Sequence, residues 1–572
     1  MKKKSFVELT TPFEKNIEDI PWSEYPRPQF RRDSYLTLNG TWEYAIAKNK
    51  EIPSTFDQTI LVPFPLGSKM SGTARLLKKG EYLFYHKCFS LPKDFQKDRV
   101  ILHVDAIDQL SEFYLNGIRV GKSENGYLRQ SLDITDVLSE KNELIICVQD
   151  DNSKDYPYGK QRRKRGGMWY TPISGIWKSV WLESLPKHPI PSFRYQWKEE
   201  MQEVEFLVQC DEEVELRIKT DEETISIHGK DKLVWKVKNA KTWSSETPYL
   251  YSITLRSSND EVHSYIALRS VKCFDGKLYL NGKRLFLNGL LDQGYYSDGI
   301  YLPSSVEGYR QDILSIKEMG FNTLRKHIKI EPDIFYYLCD YYGVYVLQDF
   351  VNNGSYHYLI DTVYPTILAK VLPDRHRYRN KARRNIFLDA MEKSVEQLRH
   401  FPSIVGWTIF NEGWGQTDSD ECYDILHFLD DTRFIDTTSG WFHQKKSDVE
   451  SEHVYFHPLH LKRKYPSRPY LLTEFGGYSW KVQDHSYNLK KNYGYKNFPS
   501  LEDYQKGLLA LYERDVLANL KDLSGIIYTQ LSDVEDETNG LWTYDRQVLK
   551  VDIHEMKKLN ENILKEIKDD EN

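Results

Sequence analysis

The sequence has 572 residues, and 78 Lys and Arg against 84 Asp and Glu give a formal net charge of -6 and a pI near 6.3. A chain of this length should hold roughly three or four domains of about 100–200 residues each. The acidic balance argues against nucleic acid as a partner, because that partnership needs a basic surface. No apolar stretch is long enough to span a bilayer, so we expect no membrane partner either.

The N-terminus and the cysteines bear on where the protein works. Residues 1–8 begin with positive charge but never reach the apolar segment of a signal peptide, so we expect no export by that route. The six cysteines lie far apart without a Cys-x-x-Cys spacing, which indicates neither a zinc site nor a disulfide framework. The sequence therefore predicts a cytoplasmic protein with reduced thiols, no cofactor and no metal in its site, and it leaves open whether a structural metal is bound.

Short alternating segments separated by turns run from about Asp33 to Glu183. Val100–Val104 and Leu144–Val148 are examples, and Asn116-Gly117 between two such segments predicts a β-hairpin. Many short strands without a helical period predict a jelly-roll β-sandwich, which we place over residues 1–185. A smaller all-β unit over residues 186–270 has roughly the size of an immunoglobulin-like sandwich.

A cluster of charge interrupts the first of these units. Five basic residues occupy the six positions from Lys160 to Arg165, and two glycines follow. A nucleic-acid patch and a solvated loop both fit such a cluster. The glycines and the following Trp169-Tyr170 favour a loop between strands. A third interpretation is that this loop reaches the mouth of the C-terminal domain and contacts substrate.

After Asp275 strands and helices alternate, which predicts a parallel sheet and, over residues 271–572, a (β/α)₈ TIM barrel. The insertion from Asn352 to Asn380 follows the third strand and should overhang the site, because loops of that length are usually functional. The predicted strands are Arg284–Gly289, Phe321–Arg325, Val344–Asp349, Ser403–Asn411, Pro469–Glu474 and Gly525–Gln530, and the predicted helices are Ser305–Met319, Pro332–Tyr342 and Ala382–His400.

Two of the predicted barrel strands end in a carboxylate. The apolar run that starts at Ser403 breaks off at Asn411-Glu412, and the run that starts at Pro469 ends at Glu474 before two glycines. Catalytic side chains of TIM barrels sit at the C-terminal strand ends. One such Glu alone would more simply cap a helix, but two of them at strand ends of one barrel are the equipment for glycosidic-bond hydrolysis.

These residues resemble a known family. The two Glu motifs, together with Leu38–Trp42 and Gly175–Glu183, are similar to glycoside hydrolase family 2, the retaining β-glycosidases that include β-galactosidase, β-glucuronidase and β-mannosidase. The resemblance covers nearly the whole chain and implies a sugar-binding-like jelly roll, an immunoglobulin-like domain and a catalytic barrel. It implies that Glu412 is the acid/base and Glu474 the nucleophile.

The resemblance also implies substrate contacts. Asn411 would bind the sugar 2-hydroxyl, and Tyr455 is similar to the Tyr that supports the nucleophile. Arg325 would keep Glu474 ionised. In retaining enzymes the two carboxyl groups stand about 5–5.5 Å apart, against about 6.5–9.5 Å in inverting ones.

Departures from the family pattern limit the choice of sugar. Arg325 is followed by Lys326-His327 rather than Ser-His, and Gln348-Asp349 stands where galactosidases have Asp-Glu. The Asn-x-Lys pair of glucuronidases is missing near Asn539. We therefore expect a glycoside or oligosaccharide substrate, with galactoside ahead and β-mannosidase or β-glucuronidase activity as alternatives. A catalytically inactive carbohydrate-binding protein is the competing class, and the number of chains in the assembly stays open.

Four further side chains are weaker candidates for substrate contact. His327 follows the second strand and fits either a substrate contact or a core histidine. Asp292, after the first strand, either binds a hydroxyl or caps a turn. Trp441 and Trp542 either stack on the sugar or pack in the barrel.

Overall fold

The computed structural model describes residues 6–73, 75–363, 374, 380–461 and 463–569. Three groups of sheets follow one another along the chain. Two are antiparallel sandwiches, and the third is an eight-stranded parallel sheet flanked by helices. This confirms the fold class predicted from the sequence.

The first sandwich packs two antiparallel sheets face to face. Alternating apolar residues such as Leu83, Leu102 and Ile146 meet between the sheets. Intervening residues of the six-stranded sheet, Phe84, Ile145 and Cys147, form a separate buried cluster. The predicted hairpin is confirmed, because Asn116 and Gly117 both have positive φ (51° and 79°), as a type I′ turn requires. The six-stranded sheet contains Gln58–Val62, Gly40–Ala47, Tyr82–Phe89, Asn142–Gln149, Leu110–Leu115 and Ile118–Ser123, and the four-stranded sheet contains Tyr35–Thr37, Val180–Leu185, Arg99–Val104 and Gln130–Asp133.

A short pair, Ile107–Asp108 with Gly175–Ile176, extends this sandwich. The second sandwich is smaller and encloses its own apolar core, which includes Phe206, Leu216 and Trp235. Its three-stranded sheet contains Ser192–Lys198, Glu203–Gln209 and Lys232–Lys236, and its four-stranded sheet contains Thr224–Gly229, Val214–Lys219, Tyr251–Arg256 and Glu261–Ile266.

The start of the third unit differs from the prediction. Arg284 and Leu285 belong to a small antiparallel sheet of Val271–Phe274, Lys277–Leu280 and Lys283–Leu285, and the first barrel strand begins only at Leu287. The chain turns back at Asn281-Gly282, where both residues have positive φ. Strand–helix alternation therefore begins after this hairpin rather than at Asp275.

The barrel contains eight parallel strands in the order 5-4-3-2-1-8-7-6. Asp448 N donates to Ile435 O and so connects the fifth and sixth strands. Strands such as the fourth are buried on both faces, as continuous apolar runs predict. The strands are β1 Leu287–Asp292, β2 Thr323–Lys326, β3 Tyr345–Asp349, β4 Ile404–Asn411, β5 Phe434–Ser439, β6 Glu450–Val454, β7 Tyr470–Gly476 and β8 Leu523–Thr529.

Helices surround this sheet. The predicted helix ends are confirmed at Gly320 and Gly343, which adopt the left-handed conformation (φ 84° and 72°) just beyond the helices. None of the helices described here combines the length and the apolar character needed to traverse a lipid bilayer. The helices are α1 Val306–Glu318, α2 Asp333–Tyr342, α3 Lys381–Leu398, α4 Ser419–Leu429, α5 Leu501–Leu511 and α6 Ile553–Asp569, with shorter helical turns at Pro12–Asn16, Thr135–Val137, Glu199–Met201, Leu359–Val363, Tyr512–Val516 and Leu517–Asn519.

Candidate active site

Two carboxylates face each other at the C-terminal ends of the barrel strands. Glu412 is the first residue beyond β4, and Glu474 lies within β7. Glu412 has φ 51°, yet its backbone N still donates to Ser439 O, so the residue turns while remaining attached to β5. Carboxylate oxygens of the two residues lie within 4.8 Å of each other. This separation fits the closer, roughly 5–5.5 Å class of carboxylate pair better than the wider one.

Arg325, which is fully buried in β2, organises the acidic side of the site. Its Nη1 donates to Glu474 Oε1 (3.0 Å), its Nε to Asp349 Oδ1 (3.1 Å) and its Nη2 to Asn411 Oδ1 (2.8 Å). Burial alone would raise the pKa of the Glu474 carboxyl, but His453, Arg325 and the other polar neighbours hold that pKa below its usual value. Glu474 is therefore ionised at neutral pH.

Asp349 and His327 form a second buried pair beside Arg325. His327 Nδ1 lies 2.7 Å from Asp349 Oδ2 and 4.0 Å from Glu474 Oε1. Burial lowers the pKa of His327, and the positive charge of Lys160 lowers it further. The pKa of Asp349 is lowered in spite of burial, because Arg325 and His327 favour its charged form. The structure thus places His327 next to the nucleophile candidate.

His453, in β6, lies between the two carboxylates. Its Nδ1 is 2.8 Å from Glu412 Oε1 and 3.6 Å from Glu474 Oε2. Its Nε2 is 3.2 Å from Arg325 Nη1. Nδ1 carries a hydrogen both in the imidazolium, whose charge favours the ionised form of Glu474, and in the Nδ1–H tautomer, so in either form it can donate to Glu412 Oε1. His453 therefore positions Glu412 as a donor does.

Tyr455 contacts the other oxygen of Glu474. Its hydroxyl donates to Oε2, which lowers the pKa of Glu474 further. The ring of Tyr495 stacks on the ring of Tyr455, with 3.7 Å between centroids and 8° between planes. Gly477, just after β7, leaves room for this stack: a Cβ there would lie 2.3 Å from Tyr495 Cδ2. The loop after β7 thus fixes the phenol that holds Glu474.

The first sandwich also reaches the barrel mouth. The Tyr170 hydroxyl donates to Glu537 Oε2, and Gln530 Nε2 donates to the same oxygen (3.2 Å). Burial raises the pKa of Glu537 to about 7, although Tyr170 and Lys160 lower it. Arg165 Nη1 pairs with Glu535 Oε2 at 3.1 Å.

Most of the basic loop packs against the rest of the protein, because only Arg163 and Lys164 of its five basic side chains are exposed. This favours the third interpretation of the loop over a nucleic-acid patch.

Two predicted contact residues have their side-chain polar atoms engaged by residues outside this cluster. Asp292 Oδ2 is 2.5 Å from Lys326 Nζ, and its Oδ1 accepts from Gly294 N. Both oxygens of this carboxylate are therefore engaged within the protein. Trp542 Nε1 donates to Ser315 Oγ on α1, outside the strand ring. Trp441, in contrast, lies beside His453 with 6.1 Å between ring centroids. Of the insertion expected to overhang the site, residues 364–373 and 375–379 lie outside the described part.

Glu412, His453 and Glu474 could offer a cation one ligand atom each, since these atoms lie within 4.8 Å of one another. The same atoms are already engaged, however, by the His453–Glu412 contact and by Arg325 and Tyr455 on Glu474. A guanidinium 3.0 Å from Glu474 Oε1 would also repel a divalent cation. The donor set fits acid–base chemistry better than metal ligation.

Sequence reasoning missed His453, Asp349 and Glu537 as site residues. The alternation of strand side chains could have found the first, because His453 stands two positions before Tyr455 and shares its face. Asp349 ends a predicted strand in the same way as Glu412. Glu537 follows β8 in a segment without a repeating pattern, and nothing in the sequence marks it.

Three family models match this chain. The model described as "Glycosyl hydrolases family 2, TIM barrel domain" matches residues 271–564. "Glycosyl hydrolase 2 galactose-binding domain-like" matches residues 62–177, and "Glycosyl hydrolases family 2" matches residues 194–269.

Among curated relatives, a β-galactosidase of Priestia megaterium is 24% identical over 436 residues, which cover 68% of this chain and 40% of the relative. The chain thus spans about two fifths of the length of that protein. Among solved structures, the β-D-glucuronidase of Dictyoglomus thermophilum has a TM-score of 0.75 at 18% identity, covering 94% of this chain and 98% of that one. A β-galacturonidase from Eisenbergiella tayi has a TM-score of 0.70 at 18% identity with the same coverage, 94% and 98%.

Proposed function

Because the chain belongs to glycosyl hydrolases family 2, we propose that it is a retaining exo-β-glycosidase with a two-carboxylate mechanism. The observation that carries this proposal is the unlike surroundings of two carboxylates whose oxygens lie within 4.8 Å. Glu474 is held by a guanidinium and a phenol, whereas Glu412 contacts an imidazole. Unlike environments separate a nucleophile from a proton donor.

In the first step Glu474 attacks the anomeric carbon while Glu412 protonates the glycosidic oxygen. The aglycone leaves as an alcohol, and the sugar becomes an ester of Glu474. Arg325 and Tyr455 keep the nucleophile charged until the bond forms. In the second step the ionised Glu412 takes a proton from water, whose oxygen attacks the same carbon and releases Glu474. Two inversions at one carbon give net retention.

Asn411 is suited to bind the sugar 2-hydroxyl. Its Oδ1 accepts from Arg325, which fixes the amide and leaves Nδ2 as a donor without a partner in the described part of the chain. His327 and Trp441, beside the two carboxylates, are further contacts for the sugar ring.

The sugar itself is inferred from the relatives. The named β-galactosidase supports a galactoside, while the glucuronidase and the galacturonidase support a uronide. A β-mannoside stays an alternative. We further propose that the enzyme acts in the cytoplasm and that its domains are residues 1–185, 186–270 and 271–572. An inactive carbohydrate-binding protein would not need both carboxylates placed in these contacts.

The proposal is tested with nitrophenyl β-galactoside, β-glucoside, β-mannoside, β-glucuronide, β-galacturonide and β-fucoside. We expect hydrolysis of at least one of them, with proton NMR showing the β-anomer as the first-formed sugar. Inversion would refute the double displacement, and no hydrolysis of any glycoside by folded protein would favour the non-catalytic alternative.

The two carboxylates should fail differently when removed. Glu474→Ala should abolish turnover, and azide should restore it only as a glycosyl azide of inverted configuration. Glu412→Ala should still hydrolyse activated aryl glycosides slowly, because a good leaving group needs little protonation, and azide should then give the retained product. Glu513→Ala, which removes an exposed carboxylate, is the control for handling and background. The opposite pair of azide products would reverse the two roles.

A further inference from the structure

Lys160 is an unusual lysine in this protein. Its side chain is only 8% exposed, yet its Nζ has no hydrogen bond or ion pair with any residue in the described part of the chain. The ring of Trp169 lies beside this ammonium, with its centroid 5.7 Å from Nζ. A buried ammonium without a partner is costly, so proteins normally pair it.

The other buried lysines follow that rule. Lys178 and Lys329 donate to backbone carbonyls, and Lys326 and Lys550 pair with buried carboxylates. Four of the five buried lysines in the described ranges therefore satisfy their charge or their hydrogens inside the protein. The fifth, Lys160, has no such partner among the residues that the structure describes, and its charge is available to a ligand.

Lys160 lies at the mouth of the barrel. Its positive charge lowers the pKa of His327, at the end of β2, and the pKa of Glu537, beyond β8. The preceding residue, Gly159, packs against the chain just after His327: a Cβ on Gly159 would lie 3.3 Å from Ile328 O. The ammonium is thus close to His327, which itself lies 4.0 Å from Glu474 Oε1.

The backbone around Lys160 is rigidly held. Tyr170 N donates to Lys160 O at 3.0 Å, and the Tyr170 side chain crosses to Glu537. The next residue, Gln161, is fully buried and donates to Asp108 Oδ2 at 2.9 Å. A cation fixed in this way loses little entropy when it binds a charged group.

We propose that Lys160, donated by the first sandwich, binds a carboxylate on the terminal sugar, so that the preferred substrate is a β-linked hexuronic acid. This inference rests on the proposed glycosidase function and names its substrate class. A neutral sugar would displace water from the ammonium without supplying a counter-charge. A sugar carboxylate supplies both the charge and the acceptor oxygens.

Glu537 is an acid near Lys160 that could oppose such a substrate. With a pKa of about 7 this carboxyl is protonated in a large fraction of molecules at neutral pH and can then donate to a carboxylate. Its Oε2 is taken by Tyr170 and Gln530, and Oε1 has no partner in the described residues. Lys160 and Glu537 together fit an anionic group better than a hydroxymethyl group.

The test compares nitrophenyl β-D-galacturonide with β-D-galactoside, and β-D-glucuronide with β-D-glucoside, because each pair differs only at C6. The wild type should favour the uronide in at least one pair. Lys160→Met should lower the ratio of kcat/KM for uronide over neutral glycoside by about 10- to 100-fold, as expected for the loss of a charge-assisted hydrogen bond. Lys164→Met removes an exposed charge from the same loop and should leave the ratio unchanged.

A second measurement needs no variant. With the wild type, free galacturonate or glucuronate should inhibit hydrolysis of the best substrate more strongly than galactose or glucose. Equal inhibition, an unchanged ratio in Lys160→Met or a wild-type preference for neutral glycosides would overturn the inference. Hydrolysis of neutral glycosides with retention would leave the proposed function intact in that case, whereas no hydrolysis of either class would refute the function itself.

Discussion

At the scale of single residues, the positive charge of Arg325 offsets the negative charges of the candidate active site. Its guanidinium pairs with both Asp349 and Glu474, and it stays protonated at ordinary pH. Its third contact orients the Asn411 amide. One guanidinium thus connects the charge of the nucleophile to the orientation of a sugar contact.

The first prediction concerns Asn411. We expect Asn411→Ala to lower kcat as well as binding, by about 10- to 100-fold in kcat/KM, because the 2-hydroxyl contact strengthens as the oxocarbenium-like transition state forms. The measurement is steady-state kinetics on the best nitrophenyl glycoside and on its 2-deoxy analogue. The variant should lose little further with the 2-deoxy substrate. A raised KM with unchanged kcat would contradict the assignment.

The second prediction concerns His453, which acts through Glu412. His453→Ala should slow substrates with poor leaving groups more than activated ones, because a misplaced Glu412 donates its proton less well. A plot of log kcat/KM against leaving-group pKa should therefore become steeper. His453→Asn retains a short donor near the Nδ1 position and should recover part of the loss. Equal losses for all leaving groups would indicate a structural role only.

At the scale of elements, the strand ends carry the site and the loops adjust it. β2, β3, β4 and β7 each deliver one of its charged or amide groups at the same edge of the sheet. The loop after β7 then returns over that edge and stacks Tyr495 on Tyr455. The geometry around Glu474 thus depends on a turn that contains no catalytic group.

The third prediction tests that turn. Gly477 has φ 61°, and a Cβ there would meet Tyr495 at 2.3 Å, so Gly477→Ala should displace the stack and weaken the Tyr455 hydrogen bond to Glu474. Because that bond lowers the pKa of Glu474, its loss should move the acidic limb of the kcat/KM profile to higher pH. Tyr455→Phe should shift the limb in the same direction. An unmoved limb in both variants would show that the phenol does not affect the nucleophile.

The sequence allowed most strands and helices of the barrel to be predicted, because apolar runs that stop at glycine or at a polar residue mark both ends of an element. It misplaced the first strand, since Arg284–Gly289 reads as one run although the chain leaves a hairpin and enters the barrel within it. Asn281-Gly282 marks that hairpin and was the available clue. The sequence offered substrate contact for the loop of Lys160 only as one of three interpretations, and it did not mark Glu537, because the neighbours of both residues come from distant parts of the chain.

At the scale of the whole molecule, buried ion pairs connect the first sandwich to the second. Arg32 donates to Glu183 Oε1 (2.9 Å), at the end of the first sandwich, and to Asp260 Oδ2 (2.8 Å), in the second. All three side chains are buried. Removing one partner of such a group leaves uncompensated charge, which costs more than the pairing gains.

The fourth prediction follows from this connection. Arg32→Ala should destabilise the protein by about 3–5 kcal/mol, since Asp260 loses its buried cation. Denaturant unfolding monitored by tryptophan fluorescence measures the change in the free energy of unfolding, taken from the first transition that appears as denaturant is raised. The neighbouring Arg31 is exposed, and Arg31→Ala should change stability by less than about 0.5 kcal/mol. Similar losses in both variants would contradict the importance of the buried pairs.

The fifth prediction uses acid. Although burial raises the pKa of Glu183, Arg27, His103 and Arg32 lower it well below the usual glutamate value. A depressed pKa contributes stability above the unfolded-state value of about 4.3, and this contribution is lost as pH falls below it. Glu183→Gln should therefore be less stable than wild type at pH 7, and the difference should shrink between pH 5 and pH 3. A constant difference across that range would show that the charge of Glu183 is not responsible.

The contact between Tyr170 and Glu537 joins the first sandwich to the barrel, so residues from two domains depend on each other. Tyr170 belongs to the chain segment of the first sandwich, but its hydroxyl donates to Glu537, which follows the last strand of the barrel. An exchange of barrels between two such enzymes, with the crossover anywhere between these residues, would combine the Tyr170 segment of one enzyme with the Glu537 segment of the other. Substitutions at positions 160–170 and 530–537 should consequently be inherited together, and enzyme engineering by domain shuffling has to transfer both segments at once.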